Sequence, residues 1–254
     1  MERNGLESRT RDQKVGLWIG GISFFFLASF FLAPALVESG TIGELSGRAN
    51  MLDFHKENEY NFTWTDLNIY SASIYAFGDL NCHNKHERSW TVNGNQMPVC
   101  VRDVGIFAGL ALGGFIYSRR GVNRWTIRDT FLSILPDDRL QPVYRSNRRT
   151  MVFIAVGLIC VVPLALAGFT QLLTDRESTA FLRLVTGVPF GFGLGLFFAA
   201  AYSARPNKFS GPGQVQLPGN VRFQRPPQEE ECSGGGIVHH TTNCSAFSGT
   251  GQFS

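Results

Sequence analysis

Two cysteines, two histidines and an arginine–aspartate couple gather between residues 81 and 103, in the stretch NCHNKHERSWTVNGNQMPVCVRD. Thiolate and imidazole are preferred donors for zinc, so Cys82, His83 and Cys100 form a candidate site for a divalent metal such as zinc. The same two thiols suit a Cys82–Cys100 disulfide, which would contribute about 3 kcal/mol in the chain-entropy model. They also suit a redox-active pair with His86 nearby. Adjacent Cys82 and His83 depart from common zinc-ligand spacings, and metal, disulfide and redox pair all stay open at this point. Arg102 and Asp103 could orient an anion or a proton. With Glu177 further along, they are the candidate catalytic residues.

The elements that must position these groups are apolar. The stretch runs straight into VGIFAGLALGGFIY, and 22 Phe gather with Gly, Ala, Leu and Val into a few blocks. A bilayer core takes roughly 20 mainly apolar residues per helix. Four blocks meet or approach that length: 15–37, 98–118, 151–169 and 184–204. The expected fold class is therefore all-α, a polytopic integral membrane protein with four transmembrane helices, an outer loop domain and a disordered C-terminal tail. The motif Ala33-Pro34-Ala35 offers an alternative in which the first span is a cleaved signal peptide. The length of that apolar run and the place of Pro34 argue for retention.

The formal net charge of +3 decides little, but its distribution decides more. Arg3, Arg9, Arg11 and Lys14 precede the first span, and eight arginines fall in 119–150. By the positive-inside rule both termini are cytoplasmic, with 1–14 a cytoplasmic arm and 119–150 a basic cytoplasmic loop. Segments 38–97 and 170–183 then lie outside. The basic loop is expected to meet anionic headgroups, and no nucleic-acid partner is expected.

Within the outer segment Trp64, Leu67, Tyr70, Ile74 and Phe77 recur at helical spacing, either on a helix along the membrane surface or on a packing face. Asn61-Phe62-Thr63 fits a glycosylation sequon. Asn93-Gly94 predicts a turn, and Pro98 predicts the start of the second span, which would set Arg102 and Asp103 several ångströms below its lip. Gly105, Gly109 and Gly113 match Gly187, Gly191 and Gly195 in spacing, so the second and fourth spans are expected to pack closely in parallel. Residues 205–254 are rich in Gly, Pro, Ser, Gln and Thr and read as a disordered tail. Cys232, His239, His240 and Cys244 there are zinc-type donors at a spacing that matches no familiar finger.

Three motifs in order, GDLNCHNKHERSW, NGNQMPVCVRDVGIFAG and GFTQLLTDRESTAFLRLVTG, resemble a prokaryotic family of predicted membrane proteins, domain of unknown function 2085. The resemblance covers roughly 75–200. It implies importance for Cys82, His83, Arg88, Ser89, Cys100, Arg102, Gly105, Thr170, Gln171, Glu177, Ser178 and Thr179. Asn84, Asp103, Ala167 and Ala180 depart from the family pattern, and Asp103 stands where that pattern has a second cysteine.

The expected site lies at the outer face, with metal donors Cys82, His83 and Cys100. Arg88, Thr170, Gln171, Glu177, Ser178, Thr179 and Arg183 would bind substrate. The alternatives are a small transporter or channel, which with four spans requires a homo-oligomer, and a structural or assembly protein stapled by the disulfide. Phosphate loops, dinucleotide fingerprints and nucleophile elbows are absent from the sequence. The lipid bilayer is the expected partner, and the cell membrane the expected location, with the chain passing through it several times.

Overall fold

The computed structural model describes residues 9–45, 67–124, 126–174 and 178–204. The sequon at 61–63, Trp64, Asp175, Arg176, Glu177 and the whole of 205–254, with its cysteines and histidines, lie outside the described residues.

Four long helices carry the fold: α1 (Arg9–Ala35), α3 (Val101–Arg120), α6 (Arg149–Leu173) and α7 (Ala180–Ser203). Each is long and apolar enough to cross a membrane. Three shorter helices accompany them: α2 (Ile69–Asn81), α4 (Ile127–Leu132) and α5 (Asp137–Arg145). A two-residue hairpin pairs β1 (Thr91–Val92) with β2 (Asn95–Gln96). Asn93 and Gly94, both at positive φ, make its turn as the sequence predicts.

Glycines set the centre of the bundle. A Cβ on Gly105 would lie 2.8 Å from the Leu184 carbonyl, one on Gly113 2.6 Å from that of Phe192, and one on Gly195 2.7 Å from that of Leu110. The two backbones therefore touch along parallel helices, with Gly105 opposite Gly187, as the matched stripes predict. α1 packs against α3 in the antiparallel sense, with Gly16 and Gly20 against Ser118 and Gly114. α6 is looser. It meets α7 where Gly193 faces Cys160, and much of its surface is uncovered, with Ile159, Phe169 and Leu172 exposed. An apolar face of that kind suits lipid.

α2 packs on the bundle through its periodic face. Its Asn68 cap accepts from the Ser71 amide. Ile74 and Tyr75 are buried, and Phe77 stacks on Phe26 at 4.5 Å beside Phe30 and Phe107. The periodic face of the sequence is thus a packing face, docked over the ends of α1 and α3.

At the opposite rim the expected basic loop contains α4 and α5, and one of its arginines is inside. Arg124 is fully buried, bonded to Asp137 at 3.0 Å and to the Tyr144 hydroxyl at 3.4 Å. That hydroxyl donates to Asp129 at 2.9 Å, an arrangement that pairs a charge otherwise costly to bury. Asp12 of α1 accepts from the Asn123 amide, and Arg11 donates to the Tyr202 carbonyl at the end of α7.

Candidate functional site

The cysteine rim is built by docking the end of α2 onto the start of α3. Gly78 lies so close to Pro98 that a Cβ would overlap its carbonyl. Cys82, the residue that ends α2, is thereby brought beside Cys100, the residue that begins α3. The Cys100 amide donates to the Cys82 sulfur at 3.3 Å, and the Cys100 sulfur meets Asp103 Oδ2 at 3.1 Å. α3 starts at Val101 rather than at Pro98, because Cys100 is extended and supplies the first accepting carbonyl. Arg102 and Asp103 consequently sit in the first turn, at the lip and not several ångströms below it.

A strap behind the cysteines holds this geometry. Gln96 donates through Nε2 to the Asn84 carbonyl at 2.7 Å and accepts from the Leu45 amide at 2.8 Å. Asn95 accepts from the Ile42 amide and donates to carbonyls at the end of α1. Tyr75 donates to the Gln96 carbonyl, and burial pushes its hydroxyl pKa up. Asn84 takes φ +47, a left-handed conformation that asparagine tolerates, and is almost completely buried.

Cys82, Cys100 and Asp103 present two sulfurs and a carboxylate oxygen within 4.8 Å of one another. The thiols are not equivalent. The Cys82 S–H donates toward Cys100, which pulls the Cys100 pKa down despite burial and nearby Asp103. That same donation, with burial and Asp103, pushes Cys82 up. Both are free thiols in the structure.

These groups open into a cleft of about 180 Å³. Lys85, Arg88, Arg102 and Arg183 line it together with the carboxylate of Asp103. Arg183, in the first turn of α7, is buried and donates to the Ser178 carbonyl at 3.0 Å. Arg102 reaches Gln171 of α6 at 3.1 Å.

The other residues singled out from sequence fall in several places. His83 is exposed at the edge of the cleft and does not join the donor cluster, where Asp103 takes the third position. His86 turns toward Gln96, at 3.2 Å, and Glu44. Thr170 donates to the Leu166 carbonyl of its own helix, and Thr179 caps α7. α6 continues through Leu173, so Thr170 and Gln171 are helical rather than part of a link. Lys85, Asn95 and Gln96 escaped the sequence reading. The NGNQ run around the predicted turn was the available signal for the last two.

The family model described as "Predicted membrane protein (DUF2085)" matches residues 82–197, beginning at the first cysteine of the cleft and ending within α7. An uncharacterized protein of Methanocaldococcus jannaschii is 31% identical over 172 residues, covering 67% of this chain and 82% of that protein. The chain belongs to this family. An uncharacterized protein of Methanothermobacter thermautotrophicus is 36% identical over 113 residues, covering 44% of this chain and 79% of the relative. No solved structure matches the chain. The family description agrees with the four apolar helices and names no reaction.

Proposed function

We propose that the chain binds a divalent metal through Cys82, Cys100 and Asp103 at the non-cytoplasmic rim of a multi-pass bundle. The cationic cleft beside it receives the anionic group on which the metal acts. One observation carries this reading: three zinc-type donor atoms from two elements lie within 4.8 Å of one another. Zinc takes thiolate at about 2.3 Å and carboxylate at about 2.0–2.2 Å, so tetrahedral donors stand about 3.5–3.8 Å apart. The Cys100–Asp103 contact of 3.1 Å needs to open by only about 0.5 Å to meet that spacing.

Three protein ligands leave one coordination position open, the pattern of catalytic rather than structural zinc. A bound ion would polarise an oxygen of the ligand in the cleft. Arg102, steadied by Gln171, would orient that ligand, and Arg183 would balance its charge. The placement of this rim outside the cytoplasm rests on the basic residues concentrated at the other end, including exposed Arg119 and Arg120. Both termini are then cytoplasmic.

The unequal thiols favour a second reading, a redox dithiol. Cys100 thiolate would attack a disulfide-bearing partner, and Cys82 would resolve the mixed disulfide. The chain ends with a Cys82–Cys100 bond, and the partner leaves with two thiols.

Elemental analysis of protein purified in detergent without chelator separates the readings. About one zinc per chain is expected in the parent and in His83→Ala, and far less in Cys100→Ser and Asp103→Asn. Metal-free parent protein removes the metal reading. A Cys82–Cys100 disulfide in every molecule, found by non-reducing peptide mapping, would replace it with the dithiol or a simple staple.

A further inference from the structure

We propose that the cleft binds the phosphate monoester headgroup of a lipid, whose acyl chain runs down α7 to the mouth of the crevice between α6 and α7. The proposal deepens the ligand half of the function above and rests on that reading of the cleft, but it does not require the metal.

Depth is the first argument. α3 spans 20 residues, about 30 Å at 1.5 Å per residue, which matches the hydrocarbon core. Its first turn, with Arg102 and Asp103, therefore stands at the level of lipid phosphates, as does Arg183 in the first turn of α7.

Chemistry is the second. Guanidinium groups match phosphate oxygens in charge and in donor geometry. Arg102 Nε, a donor, and Asn84 Oδ1, an acceptor, are buried in this region without a hydrogen-bond partner. Asn84 is only 3% exposed and lines the cleft. A phosphate monoester near neutral pH offers several acceptor oxygens and, when singly protonated, one O–H donor. It can satisfy both atoms, whereas a phosphodiester has no O–H for Asn84.

The third argument is the apolar crevice. It is lined by Phe153, Gly157 and Cys160 of α6 and by Phe190, Gly193 and Leu194 of α7, with a volume of about 180 Å³. Phe190 and Leu194 follow Arg183 on one helical face, about 10–17 Å further along the helix. One leaflet of a roughly 30 Å core gives an acyl chain about 15 Å of depth, so a headgroup at Arg183 brings the end of its chain to Phe190 at the mouth of the crevice, which continues toward Phe197 and Phe131 of α4 at the opposite rim.

The test titrates long-chain phosphatidic acid into the purified full chain in neutral detergent, with phosphatidylcholine and inorganic phosphate as separate arms. Phosphatidic acid is expected to bind at least about 10-fold more tightly than either. Arg102→Gln and Asn84→Ala should each weaken it by about 10-fold, while Arg120→Gln on the opposite rim leaves it unchanged. Thermal unfolding of each variant identifies any that merely misfolds, and Arg88→Gln then takes its place. Equal binding of inorganic phosphate overturns the lipid assignment, and equal binding by parent and variants overturns the cleft. Repeating the titration with chelator keeps the outcomes separate: lipid binding without metal sustains this proposal where the metal reading fails.

Discussion

Replacing Asn95 with alanine tests whether the strap behind the cysteines holds the rim together. Asn95 is fully buried. Its Oδ1 accepts from the Ile42 amide at 2.9 Å, and its Nδ2 reaches the carbonyls of Pro34, Val37 and Glu38 at 3.0, 3.3 and 3.1 Å. Alanine leaves the buried Ile42 N–H without that acceptor, at a cost of about 1–3 kcal/mol, and removes two donor bonds worth about 0.5–1.5 kcal/mol each. The expected destabilisation is about 2–6 kcal/mol. Denaturant unfolding in detergent micelles measures it. Alkylation of Cys82, which is 8% exposed, gives a local readout: loosening the strap should expose that thiol before the helices separate. A variant within about 0.5 kcal/mol of the parent, with Cys82 equally protected, would refute the strap and the rigidity inferred for the donor cluster.

Gly191→Leu should sharply reduce the yield of monodisperse protein, because even a Cβ there would overlap the Ile106 backbone of α3. Gly157→Ala should be tolerated, since nothing lies within 4 Å of its added carbon; equal yields from the two would refute the close α3–α7 contact. The pH profile of Cys100 alkylation should have its midpoint below the value of about 8.5 for an ordinary thiol, because the Cys82 S–H donates to it. Cys82→Ala should move that midpoint upward and Cys82→Ser, which keeps a donor, much less; no upward movement in the alanine variant would refute the shared proton.

The four spans were legible because long apolar runs, three of them uncharged, separate a membrane helix from its connections. Their ends were less so. Thr170-Gln171-Leu172-Leu173 contains nothing that stops a helix, and α6 runs through it. Pro98 suggested a helix start, but its carbonyl packs against Gly78 and the helix waits for Cys100. The α3–α7 contact could be read from matched glycines, since a stripe of missing side chains is itself a sequence pattern. Arg124 could not, because it is one arginine among several and only the three-dimensional arrangement of Asp137, Tyr144 and Asp129 makes it the buried one. The cluster proposed here as a donor set was half legible. Both cysteines were expected, while the third donor went to His83 because it adjoins Cys82 in sequence. In the structure Asp103 stands three residues along the helix from Cys100, and its side chain reaches the same sulfur.

Asp103 also bears on which chemistry the rim supports. A second cysteine at that position would let Cys100 form a bond within one helical turn, independent of α2. With aspartate there, the nearby thiol available to Cys100 is Cys82, which belongs to a different element. Metal ligation and disulfide formation would therefore both tie the end of α2 to the start of α3, and in neither case could the site form without that docking. The Gly78–Pro98 contact and the Asn95–Gln96 strap are then conditions for the chemistry rather than background to it. A carboxylate cannot be oxidised to a disulfide, but it can bind a hard cation, so aspartate at this position contributes nothing to a thiol relay and supplies the third donor of the proposed metal site. That asymmetry is the physical reason for ranking the metal reading above the dithiol.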